Sequence, residues 1–310
     1  MGNIVHKRKT LQFKAEATPG TAETTGFSAI NTYDFDVKPD VGFESVPGMS
    51  GFGPVSGIAT TRAATVTFSF DVTVKSAAGA TWMGLLAGCG YVLATGLYSP
   101  NSNPPGVSGG GSCFTFLYNQ DGRKQVVYGA MGNMVFEATA GGKIKVKATF
   151  RGILDTPVDA AIPSITLPSS ETIARFASTP VFTIGGTTYA AGRISLDLGA
   201  KVELIPSNLT ASGFLHAVVA DCAATGSFAL KSSLNATFRP LLSLMAGTTF
   251  VWVWTVGAVG NGITFNAPVL QISKEPDVQE INGVAYDIAE FMLMRSAAAG
   301  DDFLTIDPTA

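Results

Sequence analysis

Much of the chain alternates apolar and polar side chains with a period of two. Residues 65–74 carry Val or Phe at every even position and Thr, Ser or Asp at every odd one. Residues 143–150 alternate Lys or Thr with Ile, Val, Ala and Phe, and residues 193–198 show the same alternation. This is the period of a strand with one buried and one polar face. The sequence therefore predicts a mainly β protein with long, half-buried strands.

Two short segments show the helical period instead. In each, four apolar residues stand at i, i+3, i+4 and i+7, which predicts one short amphipathic α-helix. Thr81 and Thr237 stand just before these residues and are expected to be N-caps. The residues expected to pack the helices against the sheets are Trp82, Leu85 and Leu86 in the first helix, and Phe238, Leu241 and Leu242 in the second.

The two helical segments belong to an internal repeat. Residues 75–86 match residues 231–242 at a constant offset of 156, which is close to half of the 310-residue chain. Upstream, residues 44–47 match 203–206, and residues 50–52 match 212–214. A repeat of this period predicts two tandem domains rather than an array of short units. The predicted domains are residues 1–160 and 181–310, joined by a proline-containing linker at 161–180.

The composition adds an expectation of buried subunit contacts. Only 14% of the residues are charged, whereas soluble domains average about 25%, and the mean hydropathy is +0.30. The formal net charge of −3 argues against a protein that grips nucleic acid, because such binding needs clustered Lys and Arg. No apolar run is long enough for a membrane-spanning helix, so we expect no membrane insertion. The basic start lacks the apolar region of a signal peptide, and we expect synthesis in the cytosol.

The sequence is poor in reactive groups. It contains two histidines, and its three cysteines lack the spacing of metal ligands. Residues 106–110 fit the G-x-S-x-G pattern, but they lie in a Gly-, Pro- and Ser-rich loop, whereas a nucleophile elbow needs a strand before it and a helix after it. We therefore predict no catalytic, cofactor or metal site and expect that the protein is not an enzyme.

Three segments resemble the major tail tube proteins of long, non-contractile-tailed bacteriophages (siphophages). They are KAEATPGTA at 14–22, GAMGN at 129–133 followed by FRG at 150–152, and GDDFLTI at 300–306. Together they cover both ends and much of the first half, and their order carries the resemblance rather than any single motif. The resemblance implies two tandem tail-tube-like β-sandwich or partial-barrel domains, each with one short flanking α-helix.

The same resemblance implies how the protein works. Strands of neighbouring subunits would join into a continuous barrel around a DNA channel. Homotrimeric, pseudo-hexameric rings would stack into the tail tube of the virion, the conduit for DNA ejection. The implied partners are other copies of the chain, the tape measure protein, the tail terminator and tip proteins, and double-stranded DNA in passage, with assembly in the host cytoplasm. A ring of six full-length chains is the alternative arrangement.

Two other classes of protein stay open at this point. A bacterial outer-membrane β-barrel would explain the alternation, but it would need a signal peptide and more strands of about ten residues. A two-domain β-sandwich that decorates a particle or binds carbohydrate would fit the β content. Exposed aromatic residues clustered in one loop would favour that class, and the sequence shows no such cluster.

Two sets of residues are candidates for function in a tube. A neutral or acidic channel lining would let DNA slide, and acidic strand residues are its candidates. The alternative is that these acidic residues are ordinary solvent-facing or salt-bridged strand residues. Polar loops are the candidates for contacts between rings, together with the basic N-terminal arm. The lumen candidates are Asp36, Glu44, Asp197 and Glu203, and the inter-ring candidates are Ser50, Gly51, Phe52, Ser212, Gly213 and Phe214.

Overall fold

The computed structural model describes residues 8–46, 55–75, 79–177, 181–233, 238–258, 261–281, 283–296 and 300–308. Within these residues the protein is mainly β, as predicted, with two short helices. The strands of the first half are β1 (Lys9–Ala15), β2 (Thr32–Val46), β3 (Val55–Asp71), β4 (Thr73–Val74), β5 (Tyr91–Ala94), β6 (Leu97–Pro100), β7 (Phe114–Gln120), β8 (Arg123–Thr139), β9 (Ile144–Leu154) and β10 (Val158–Asp159).

The linker and the second half are built from shorter strands. They are β11 (Thr172–Ile173), β12 (Phe182–Ile184), β13 (Thr187–Thr188), β14 (Ala191–Asp197), β15 (Ala200–Pro206), β16 (Phe214–Cys222), β17 (Thr225–Lys231), β18 (Thr249–Ala258), β19 (Asn261–Ile272), β20 (Asp277–Ile281), β21 (Val284–Met294) and β22 (Thr305–Asp307).

The strands pair in the same order in both halves, and every pairing is antiparallel. In the first half the order is β1-β7-β8-β9-β3-β2. In the second it is β12-β18-β19-β21-β17-β14, and β20 continues the line of β19 beside β21. The end of β8 also pairs with β14, from Val135 opposite Asp197 to Thr139 opposite Arg193. This junction links the two halves into one open sheet system.

The apolar faces of both halves meet in one continuous core. The predicted alternation is realised on β3 and β9, where Phe68 stacks on Phe150 with ring centroids 6.0 Å apart. Phe136 on β8 crosses the boundary between the halves, because its ring centroid lies 5.7 Å from that of Trp82 and 5.2 Å from that of Phe265 on β19. The two halves therefore share their interior.

The first helix differs from the prediction of an α-helix. It is a 3₁₀ helix, Thr81–Cys89, and Thr81 is its first residue rather than its cap. Gly84 and Gly88 lower the α-helical propensity of so short a segment. Gly88 is also held against the sheet, since a Cβ there would lie 2.8 Å from the Phe150 ring. Trp82, Leu85 and Leu86 are fully buried.

The second helix, α1 (Pro240–Ala246), buries a different face from the predicted one. Arg239 has an extended backbone, so Phe238 lies before the helix. The positions i, i+3 and i+4 counted from Phe238 therefore do not share one helical face. Phe238 is buried against Tyr189 and Phe250. Leu241 and Leu242 are exposed, contrary to the prediction that they pack this helix on the sheet. Thr237, the other predicted cap, lies outside the described residues.

The predicted linker returns to the first half. Thr172–Ile173 pairs with β4, and the Glu171 carboxylate accepts hydrogen bonds from Thr73 Oγ1 (2.6 Å), Thr81 N (2.7 Å) and Thr81 Oγ1 (2.6 Å). Glu171 thus binds the first residue of the 3₁₀ helix, the position where an N-terminal cap is needed. Residues 160–171 form no strand or helix.

Candidate assembly surfaces

One face of the joined sheet is polar across both halves. The strands that form it run β3, β9, β8, β14, β17 and β21, and side chains directly opposite one another share a face. Two rows of neighbouring residues show this continuity: Ser69, Lys147, Val135, Asp197, Thr225 and Met292 in one, and Asp71, Lys145, Glu137, Ser195, Ser227 and Glu290 in the other.

Charges of both signs alternate on this polar face. Lys145 lies between Asp71 and Glu137 in its row, and Lys143 Nζ is 2.8 Å from Asp71 Oδ2. Lys145 and Lys147 are not among the residues predicted to line the lumen. Their alternation with Ile, Val and Ala in the sequence nevertheless indicates that they lie on the polar face. The face is therefore mixed in charge rather than acidic.

The four lumen candidates fall into two pairs. Asp36 lies opposite Thr67 on the polar face and is exposed. Asp197 shares that face, but its carboxylate accepts hydrogen bonds from Asn133 Nδ2 (2.7 Å) and Gly199 N (2.8 Å), which fixes the turn between β14 and β15. Glu44 and Glu203 lie further along their hairpins, beyond irregularities in the strand register, and both are exposed. The role of the four in a lumen stays a prediction.

Each half contains a long hairpin, here called its arm. The second arm is β15 with β16, and the first arm is the distal part of β2 and β3, residues 40–46 and 55–62. The second arm packs on β8 and β9, where Leu204 and Ala217 are buried with Ala63, Cys113 and Met131. Apolar side chains of the first arm are exposed, with Phe43 at 71% and Ile58 at 60%.

The candidates for inter-ring contacts have different surroundings. Ser212 is buried, and its carbonyl oxygen accepts a hydrogen bond from Arg62 N (3.0 Å) on β3. Gly213 is close to Thr61, and Phe214 packs on the cluster under the second arm. These three residues make contacts within the chain, and contacts between rings stay a prediction for them. The matching candidates Ser50, Gly51 and Phe52 lie outside the described residues.

A buried carboxylate explains two of the segments that carried the family resemblance. Glu16 accepts hydrogen bonds from Gly20 N (2.8 Å), Thr115 Oγ1 (2.9 Å) and Gly129 N (2.6 Å), which ties the segment 14–22 to the segment 129–133. Burial raises the pKa of Glu16, although these hydrogen bonds oppose the shift. Both segments stand out in the sequence, but the side chain that joins them is not apparent there, because the contact is between residues 113 positions apart.

The described residues contain no group of three or more His, Cys, Asp or Glu side chains arranged to hold a metal ion. Nor do the helices of this described part include one long and apolar enough to cross a membrane. The features that stand out are a polar sheet face, an exposed apolar arm and a strand pairing between the two halves of the chain. They define a structural β protein whose surfaces are suited to association.

The comparison with known families agrees with that class. A family model described as phage tail tube protein matches residues 7–291, and the chain belongs to this family. It is therefore a structural component of a phage tail, and its family assembles into the tail tube. No curated protein matches the chain.

Proposed function

We propose that three copies of the chain form a ring, that the rings stack into the tail tube of a siphophage, and that the tube is the conduit for DNA ejection. The two halves are tandem tube folds in this proposal, so three chains supply six similar units. The repeated order of strand pairing supports it, because each strand of the series β1-β7-β8-β9-β3-β2 has a counterpart in the second half.

The observation that carries the proposal is the junction between β8 and β14. By position in the pairing order, β2 is the counterpart of β14, and β20 is the counterpart of the end of β8. Within the described part of the chain, β2 pairs only with β3 and β20 only with β21. Unpaired strand edges are templates for pairing with another chain. We therefore assign β20 of one copy to β2 of the next, with Val37 opposite Val278 and Lys38 opposite Asp277.

The polar face would line the channel. Repeating the junction by rotation joins the polar faces of all copies into one surface. Lys145 and Lys147 are interspersed there with Asp71, Glu137 and Glu290, and these carboxylates offset the positive charge that would hold the phosphates, so DNA can slide. The other proposed partners are the tape measure protein and the tail terminator and tip proteins, assembly takes place in the host cytoplasm, and the chain has no catalytic role.

Negative-stain microscopy of the purified protein tests the proposal, with rings or tubes as the expected result. Lys38→Glu should prevent them by placing like charges at the junction, and adding Asp277→Lys should restore them, which also controls for folding. Wild-type protein that stays monomeric at every concentration tried would contradict the proposed function. Assembly that is indifferent to both substitutions would contradict the assigned junction.

Two further expectations concern the loop before β7 and the N-terminal segment, whose last residues, Lys9 and Thr10, begin β1. The loop at residues 101–112 is mostly exposed and has no counterpart in the second half, where α1 leads directly to β18. A ring of three chains should therefore carry three outer lobes. Deleting residues 1–10 should leave the domains folded and weaken stacking, and unchanged tube formation would remove that segment from the mechanism.

A further inference from the structure

The second arm shows how an arm docks on a sheet. It lies across β8 and β9 of the first half, and Ile153 near the end of β9 is only 1% exposed. On the arm, Val202 packs on the buried cluster that contains Met131 and Leu204. The chain thus contains one complete example of an arm seated on the end of a neighbouring sheet.

The first arm has the same construction, but its apolar side chains are exposed. Phe43 lies opposite Ala59, and Glu44 opposite Ile58, as Val202 lies opposite Val219 and Glu203 opposite Val218. Phe43 therefore takes the position of Val202. Its ring lies over Gly57, where any Cβ would collide with it, so glycine makes room for the ring on the arm. The structure nevertheless leaves this ring 71% exposed.

The second half contains a matching docking surface at the end of β21, here called the seat, and it is also exposed. Phe68 lies opposite Ala148 and stacks on Phe150, as Phe228 lies opposite Ala289 and stacks on Phe291. Three residues beyond the stacked rings stand Ile153 in the first half and Met294 in the second. Ile153 is buried and lies opposite Ala63, which belongs to the cluster under the second arm, whereas Met294 is 36% exposed. Met292 beside it is exposed as well.

We propose that the first arm of one copy docks on the end of β21 in a second copy through the face that carries Phe43 and Ala59, with Phe43 covering Met292 and Met294. The proposal rests on the self-assembly proposed above and names the surface that holds neighbours together. The two surfaces are different patches of the same chain, so the contact is heterologous and can close into a ring. Methionine suits the seat, because its flexible side chain adapts to a large aromatic ring.

Complementation between two variants tests the docking. Phe43→Asp disables the arm and leaves the seat, whereas Met294→Asp disables the seat and leaves the arm. Each variant alone should need at least about a tenfold higher concentration to assemble, as expected for a central contact residue. An equimolar mixture should form dimers in sedimentation velocity, because one intact arm meets one intact seat. Val107→Asp, at an exposed apolar residue in the loop before β7, is the matched control and should assemble like wild type.

The outcomes separate the two proposals. Circular dichroism checks that the variants fold. Ala59→Asp, on the same face as Phe43, should reproduce the arm defect, whereas Ile58→Asp, on the other face, should not. Wild-type assembly with unaffected variants, or a mixture that stays monomeric, would overturn the docking and leave the tube function standing. A wild-type chain that does not associate would overturn both.

Discussion

Replacing Phe136 with alanine probes whether the two halves share one core. The side chain is fully buried, and its ring packs between Trp82 of the first half and Phe265 of the second. Removing a buried phenylalanine lowers the free energy of unfolding by about 3–5 kcal/mol. Each aromatic pair contributes about 0.5–1.5 kcal/mol beyond buried area, so the loss should lie near the upper end of that range. Because the ring bridges both halves, both should be destabilised together.

Urea unfolding of the monomer, followed by tryptophan fluorescence, measures the loss. Hydrogen exchange with mass spectrometry then reports on each half separately. Phe43→Ala is the matched control, since this exposed ring should change stability by less than about 0.5 kcal/mol. A loss below about 1 kcal/mol for Phe136→Ala, or a loss confined to the first half, would refute the shared core.

Three further substitutions test local features. Burial raises the pKa of Glu16, so its protonated form stabilises the folded state, and this contribution is lost as the pH rises through the raised pKa. Glu16→Gln should therefore flatten the pH dependence of the free energy of unfolding, measured by urea titration from acidic to neutral pH. An unchanged pH dependence would exclude Glu16 as its source. Gly88→Ala should lower the free energy of unfolding by about 1–3 kcal/mol through overpacking. Gly84→Ala should not, because a Cβ at that position meets nothing within 4 Å. Equal effects of the two substitutions on thermal unfolding would contradict the close packing of the 3₁₀ helix. Glu171→Ala removes the acceptor of three hydrogen bonds and should therefore speed tryptic cleavage of the linker after Arg175. An unchanged cleavage rate would show that other contacts hold the linker.

The local pattern predicted individual strands because burial on one face imposes a period of two. It could not predict that the end of β8 leaves β7 and pairs with β14, since the choice of a distant partner leaves no local signal. Register irregularities between Val41 and Phe43 also break the period, so alternation alone could not assign a face to Glu44.

The helices illustrate a different limit. The spacing from Phe238 suggested one helical face, but the helix begins at Pro240 and leaves Leu241 and Leu242 exposed. The bond network of Glu16 was equally hidden, because it joins residues 113 positions apart in sequence. In both cases the deciding contact is tertiary.

Helical reconstruction of the assembled tube by electron cryomicroscopy would show how many chains form a ring and which face of the sheet lines the channel. We expect three chains of 32.1 kDa per ring, with β2 of each chain paired to β20 of the next and the polar face of β3, β9, β8 and β14 turned to the channel. Six chains per ring with the second half outside the barrel, or a polar face on the outer surface, would contradict it.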